Sequence, residues 1–173
     1  DDIAIRATVT IKGSDMTVDL TESAPQVTSF LNSAWANTRS GVAMALTYLL
    51  DPEVTKNDGT MRPVKILVKQ GTIVMPDDWA PVTMSTSHCA QEIIEAIVTA
   101  LAPACRDRAM AGWGKRLRIA LKGQDPRNGK DFIWHMFHAR PGAGASPGGD
   151  GWHNSGEWHS AGGLKFGSVE VAE

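Results

Sequence analysis

Polar and ionisable side chains capable of chemistry gather at a few turn-like stretches of this chain. Asn32 and Arg39 precede or open the first predicted helix, and Asn57, Asp58 and Arg62 follow it. A planar guanidinium at Arg39 or Arg62 suits a carboxylate or phosphate, which it can grip through two parallel N–H groups. The plainer readings are a capping Asn37, a turn at Asn57-Asp58-Gly59, and two surface charges. Later in the chain Asp150 and His153 flank Trp152, and His153 is the histidine most suited to touch a substrate. The candidate binding residues are therefore Asn32, Arg39, Asn57, Asp58, Arg62, Asp150 and His153. No catalytic residue is assigned.

Other motifs carry less. Imidazoles at His135, His138, His153 and His159 with Asp150 are the right donors for zinc or manganese. His135 and His138 stand three apart in a predicted strand, however, so they face opposite sides, and no metal site is expected within this chain. The stretch Pro141–Gly151 is glycine-rich, but no Gly-Lys-Ser/Thr leads from it into a helix. Gly114-Lys115 is followed by Arg116, so a Walker-type phosphate loop is not expected. A tight backbone crossing that only glycine permits is the favoured reading. Gly144-Ala145-Ser146-Pro147-Gly148 matches the G-x-S-x-G pattern, yet Gly148-Gly149-Asp150-Gly151 cannot open the helix a nucleophile elbow requires.

Several elements must position these residues. Alternation from Ile3 to Ile11, a turn at Lys12–Asp15, and renewed alternation at Met16, Val18 and Leu20 predict a β-hairpin. A helix is predicted over roughly Asn37–Leu50, with Val42, Leu46, Leu49 and Leu50 on one face and Asp51-Pro52 as its stop. Val64–Val68 and Thr72–Met75 read as short strands around Gly71. Ser87–Leu101 is the clearest helix: Ile93, Ile97 and Leu101 recur every four residues, Glu92, Glu95 and Thr99 lie on the other side, and Pro103 ends it. Leu117–Leu121 and Phe132–Phe137 are predicted strands around a turn at Asp125–Gly129. The expected fold class is α+β: mixed sheets, two main helices and a glycine-rich C-terminal third, part of a larger domain and without an internal boundary over residues 1–173.

Composition sets outer limits. With 42% hydrophobic and 21% charged residues the chain is ordinary globular protein. Its 17 basic and 19 acidic side chains leave a net charge of -2, which argues against a nucleic-acid partner. No apolar run is long enough to suggest a membrane span. Cys89 and Cys105 lie in or beside one predicted helix, too far apart to bridge, so reduced thiols in a cytoplasmic protein are expected. The chain opens in a strand pattern without an initiator Met and stops within the strand-like run Ser168–Glu173, so a fragment or processed piece is expected.

In order along the chain, these segments resemble the central part of the hydantoinase B family, which includes subunits of N-methylhydantoinase, oxoprolinase and the acetone and acetophenone carboxylases. Val18-Asp19-Leu20-Thr21-Glu22-Ser23 and Pro25-Gln26 are similar to the family's V-D-F-T-G-S and P-Q. Leu31-Asn32, Leu49-Leu50-Asp51-Pro52, Asn57-Asp58-Gly59 and Arg62-Pro63-Val64 follow as in that block, as do Gly71–Val74, Gly144-Ala145, Asp150-Gly151 and Ser168–Val171. The chain departs at Glu22, where the family usually has Gly, and at His138-Ala139-Arg140, a region usually richer in glycine; the ending Asp150-Gly151-Trp152-His153 looks closer to the carboxylase-like or unassigned branches than to typical hydantoinases.

The resemblance implies a segment of the hydantoinase B-like subunit of an ATP-dependent hydrolase of cyclic amides (hydantoin, oxoproline or lactam). The alternatives it leaves are a subunit of an ATP-dependent ketone carboxylase and a non-catalytic assembly module of such a complex. It further implies a hetero-oligomer with a hydantoinase A-like ATP-binding subunit, a small-molecule substrate, ATP with Mg on that partner, and zinc or manganese outside this segment.

Overall fold

The computed structural model describes residues 2–49, 53–112, 117–139 and 142–151, with side chains left aside at 117–119 and 135–139. The fold is α+β. Strands β1 (Thr8–Lys12) and β2 (Asp15–Asp19) form an antiparallel hairpin with Val9 opposite Val18. Gly13 occupies the first position of the two-residue loop at φ 61°, where a side chain would be strained. Beyond β2 the Asp19 carboxylate accepts from Thr21 N at 2.9 Å and Thr21 Oγ1 at 2.7 Å, which turns the chain and holds this carboxyl below its usual range.

Helix α1 (Trp35–Leu49) then crosses over, and β3 (Val64–Leu67) lies parallel to β2, giving the order β1-β2-β3. Helix α2 (Ala90–Leu101) packs on α1. The core sits between these helices and the sheet: Val18 and Leu20 meet Val42, Ala45, Leu46 and Leu49 of α1 and Ile93, Ile94, Ile97, Val98 and Leu101 of α2. Burying each of the large aliphatic side chains stabilises the fold by roughly 1.5–3 kcal/mol. Gly41 lets the helices approach closely, since a Cβ there would stand 3.2 Å from Ile93 Cγ2.

The second predicted hairpin is present as β4 (Leu117–Gln124) and β5 (Asp131–Ala139), a two-stranded ribbon. At its tip the Asp125 carboxylate accepts from Arg127 N, Nε and Nη2 and from Asn128 Nδ2. These donors hold the Asp125 carboxyl below the usual range. Gly129, at φ 69°, completes the turn.

Four expectations are corrected. The alternation from Ile3 becomes a strand only at Thr8, because the segment before it bonds to a loop: Ala24 N donates to Ala4 O and Arg6 N to Ser23 Oγ. Thr72–Met75 is a buried turn, not a strand; its peptide groups pair with loops, Ile73 N to Ala24 O and Ser33 N to Ile73 O, after Gly71 at φ 80°. Helix α1 begins at Trp35, so Asn37 lies inside its first turn and donates from Nδ2 to Ser33 Oγ at 2.7 Å. The second main helix is entered through a wide π-type turn, Ser85–Cys89, that carries Ser87 and Cys89 into the interior. Leu50 and Asp51-Pro52 lie outside the described residues.

Candidate functional site

Four of the seven candidates come together on one surface. Arg39 projects from the first half of α1, and Asp58 opens a 3-10 turn, Asp58–Met61. Arg39 Nη2 reaches Asp58 Oδ1 at 2.6 Å, with side chains 46% and 82% exposed. Asn57 forms the turn: its Oδ1 accepts from Gly59 N at 2.8 Å and its backbone oxygen from Thr60 Oγ1. Arg62 closes the same turn through its backbone N–H to Gly59 O. The turn thus sets the Arg39–Asp58 ion pair beside the Asn57 amide on an open surface, with Arg62 at the end of the same turn. Such groups can orient a polar or anionic partner, but an exposed ion pair gains only about 0–1 kcal/mol.

Asn32 does not belong to that surface. Its side chain is fully buried, and its amide clamps two loops: Oδ1 accepts from Val27 N, while Nδ2 donates to the carbonyls of Val27, Ser29 and Pro81. Those bonds engage both ends of the amide, so Asn32 is scaffold in this structure. Thr38, equally buried, ties α1 to the Thr72–Met75 turn by donating to Val74 O at 2.7 Å.

Asp150 is exposed in the glycine-rich segment. His153 lies outside the described residues, as does His159, and His135 and His138 fall on β5 where side chains are not described. Among the described residues no group of three His, Cys, Asp or Glu could hold a metal ion.

Two glycines of the glycine-rich segment lie against backbone. A Cβ on Gly144 would overlap the carbonyl oxygens of Ala111 and Gly112, and one on Gly151 would overlap that of Ala143. These glycines permit backbone crossing, which takes up the space a ligand would need.

The outer stripe of α2 is more than a solvated face. Glu92, Glu95 and Thr99 line a groove of about 610 Å³ together with Ile5, Arg6 and Thr8. The spacing of the three helical residues is visible in the sequence, but no local signal tells that an extended segment runs alongside them.

Both cysteines are free. Burial pushes the Cys89 thiol up to about 12, only partly offset by a hydrogen bond with Ser33, and Glu92 adds to the rise. Such a thiol is a packed apolar group, not a nucleophile.

Known proteins resemble this chain in sequence and in fold. The family model "Hydantoinase B/oxoprolinase" matches residues 1–173. The caprolactamase beta subunit of Pseudomonas jessenii is 34% identical over 175 residues, which covers 99% of this chain and 30% of that relative. A putative D-/L-hydantoinase B subunit from Pseudomonas sp. (strain NS671) is 35% identical over 135 residues, 73% of this chain and 22% of that one. The crystal structure of the ATP-dependent caprolactamase from Pseudomonas jessenii superposes with a TM-score of 0.73 at 34% identity, covering 88% of this chain and 27% of that one. Nucleotide-free acetone carboxylase superposes at 0.74 over 95% of this chain and 22% of that one; at 20% identity this likeness concerns the fold alone. The chain thus spans under a third of each of these relatives.

Proposed function

The chain belongs to the hydantoinase B/oxoprolinase family, and from that premise we propose that it is a segment of the B-like subunit of an ATP-dependent cyclic-amide hydrolase. The observation that supports this most is 34% identity to a caprolactamase subunit across 99% of the chain, with matching structure. A five- or seven-membered lactam resists water because amide resonance makes its carbonyl carbon poorly electrophilic. ATP held by a partner subunit would supply a phosphoryl group to the amide oxygen, making the carbonyl carbon electrophilic enough for water to open the ring with release of phosphate.

The described residues do not fit ATP or a metal, because Gly144 and Gly151 are packed against backbone and no ligand set gathers among them. We assign ATP with Mg to a hydantoinase A-like partner in a hetero-oligomer, and zinc or manganese to parts of the subunit outside this segment. The contribution of this chain is scaffold, subunit contact and part of the wall of the substrate cavity. Arg39, Asn57, Asp58 and Arg62 provide a polar surface for such contacts, and Asp150 and His153 are the proposed substrate contacts. No described helix is long and apolar enough to cross a membrane; with its two free thiols, the proposed location is the cytoplasm.

The ketone carboxylase reading is weaker, because it shares only the fold at 20% identity. The two separate in one assay of the reconstituted complex. Lactam-, hydantoin- or oxoproline-dependent release of ADP and phosphate together with the ring-opened product (the amino acid, or the N-carbamoyl amino acid from a hydantoin) is the expected result. ATP turnover that requires a ketone and bicarbonate, with no ring opening, would replace this reading with the carboxylase.

A further inference from the structure

The β4–β5 ribbon has two unlike faces. Leu121 pairs with Trp134 and Gly123 with Phe132, so these four residues share one face by the two-residue period of a strand. Leu121, Phe132 and Trp134 are 52%, 43% and 48% exposed, and the Phe132 ring lies over Gly123, where a Cβ would stand 3.2 Å from Cε1. With Pro126 and Arg127 at the tip they line a shallow groove of about 420 Å³. The other face pairs Lys122 with Ile133 and Gln124 with Asp131. None of the residues from Ala120 to Trp134 is buried.

A two-stranded hairpin is marginal in water unless its apolar face is covered, so this one needs an occupant. A second copy is too small a solution: half-exposed side chains of roughly 150–250 Å² each give an area under ~800 Å² for two ribbons face to face, against ~1,200–2,000 Å² in a stable interface. Length favours a different occupant. This chain corresponds to 30% of the caprolactamase beta subunit and to 27% of the solved caprolactamase chain. We propose that the Leu121/Phe132/Trp134 face is an intrasubunit docking surface, covered by an apolar segment of the same polypeptide that lies outside residues 1–173. This rests on family membership and relative length and not on the hydrolase reading, so it survives or fails independently of the substrate assay.

The test uses the full-length subunit in its native complex, with p-benzoylphenylalanine replacing Phe132. Photolysis should give cross-links at the mass of one polypeptide, joining position 132 to peptides beyond these 173 residues. Cross-links to a separate polypeptide, to the ribbon of a second copy, or to nothing would overturn the proposal, as would a natural subunit only 173 residues long. Should that variant not assemble, Leu121→Cys gives an independent reading by maleimide labelling and peptide mapping. Protection at least tenfold over the unfolded subunit is expected. Labelling at the rate of an exposed thiol overturns the assignment.

Discussion

The side-chain amide of Asn32 donates to the carbonyl of Pro81 at 3.0 Å, joining two loops 49 residues apart in sequence. The same amide holds Val27 from both its N–H and its carbonyl. Removing it strands buried peptide groups, each costing about 1–3 kcal/mol. Asn32→Ala should therefore lower stability by roughly 2–4 kcal/mol, measured by urea unfolding. Asn32→Asp keeps the acceptor for Val27 N but loses the donors and should fall close to the Ala variant. If Asn32→Ala left stability intact and raised KM alone, Asn32 would be a substrate contact and not a clamp.

Arg39 and Asp58 should behave differently, because both are well exposed. A double-mutant cycle with Arg39→Ala and Asp58→Ala is expected to give a coupling below about 1 kcal/mol, decreasing further in high salt. In the reconstituted complex Asp150→Ala is expected to damage turnover more than Asp58→Ala. Equal, near-normal rates for the two variants would remove Asp150 from the list of substrate contacts.

Thiol chemistry offers a pH-dependent check. Cys89 is buried with its pKa raised from 9.0 to about 12, whereas Cys105 is partly exposed. Iodoacetamide at pH 8 should label Cys105 in the native chain and Cys89 only on unfolding. The unfolded thiol ionises first as pH rises, so burial of neutral Cys89 contributes fully below pH 9 and is lost between about 9 and 12. The loss should approach about 1.4 kcal/mol per pH unit, and Cys89→Ser should remove this part of the alkaline slope. An identical slope in that variant would place the alkaline sensitivity elsewhere.

Local chemistry explains which parts of this fold are legible in advance. Both hairpins are readable because Gly13 and Gly129 sit in turns with flanking alternation, and α2 because its aliphatic residues recur at helical spacing. Thr72-Ile73-Val74 reads as a strand but is a turn, since a β-branched run looks the same whether its peptide groups bond to a strand or to loops. The union of Arg39 with Asp58 depends on how the chain returns after α1, which no local pattern encodes. Trp79 gives no signal of its backbone at φ 70°, a conformation bulky residues rarely adopt.

Gly144 tests the claim that the glycine-rich segment is a crossing and not a ligand loop. A methyl group there would run into the carbonyl oxygens of Ala111 and Gly112, next to the Ala111 N to Ala145 O bond of 2.8 Å. Relief requires the two backbones to part, losing that bond and the packing around it, so G144A should cost about 2–4 kcal/mol. For a chain of this size that is a fall of roughly 5–15 °C in Tm. Gly149 has open space where its Cβ would stand, so G149A should cost less than about 1 kcal/mol. A ligand loop predicts the opposite pattern: both variants would keep their stability, and the penalty would show in nucleotide binding instead. Calorimetry of the two variants, with and without MgATP, separates these outcomes because a crossing lowers Tm equally in both conditions.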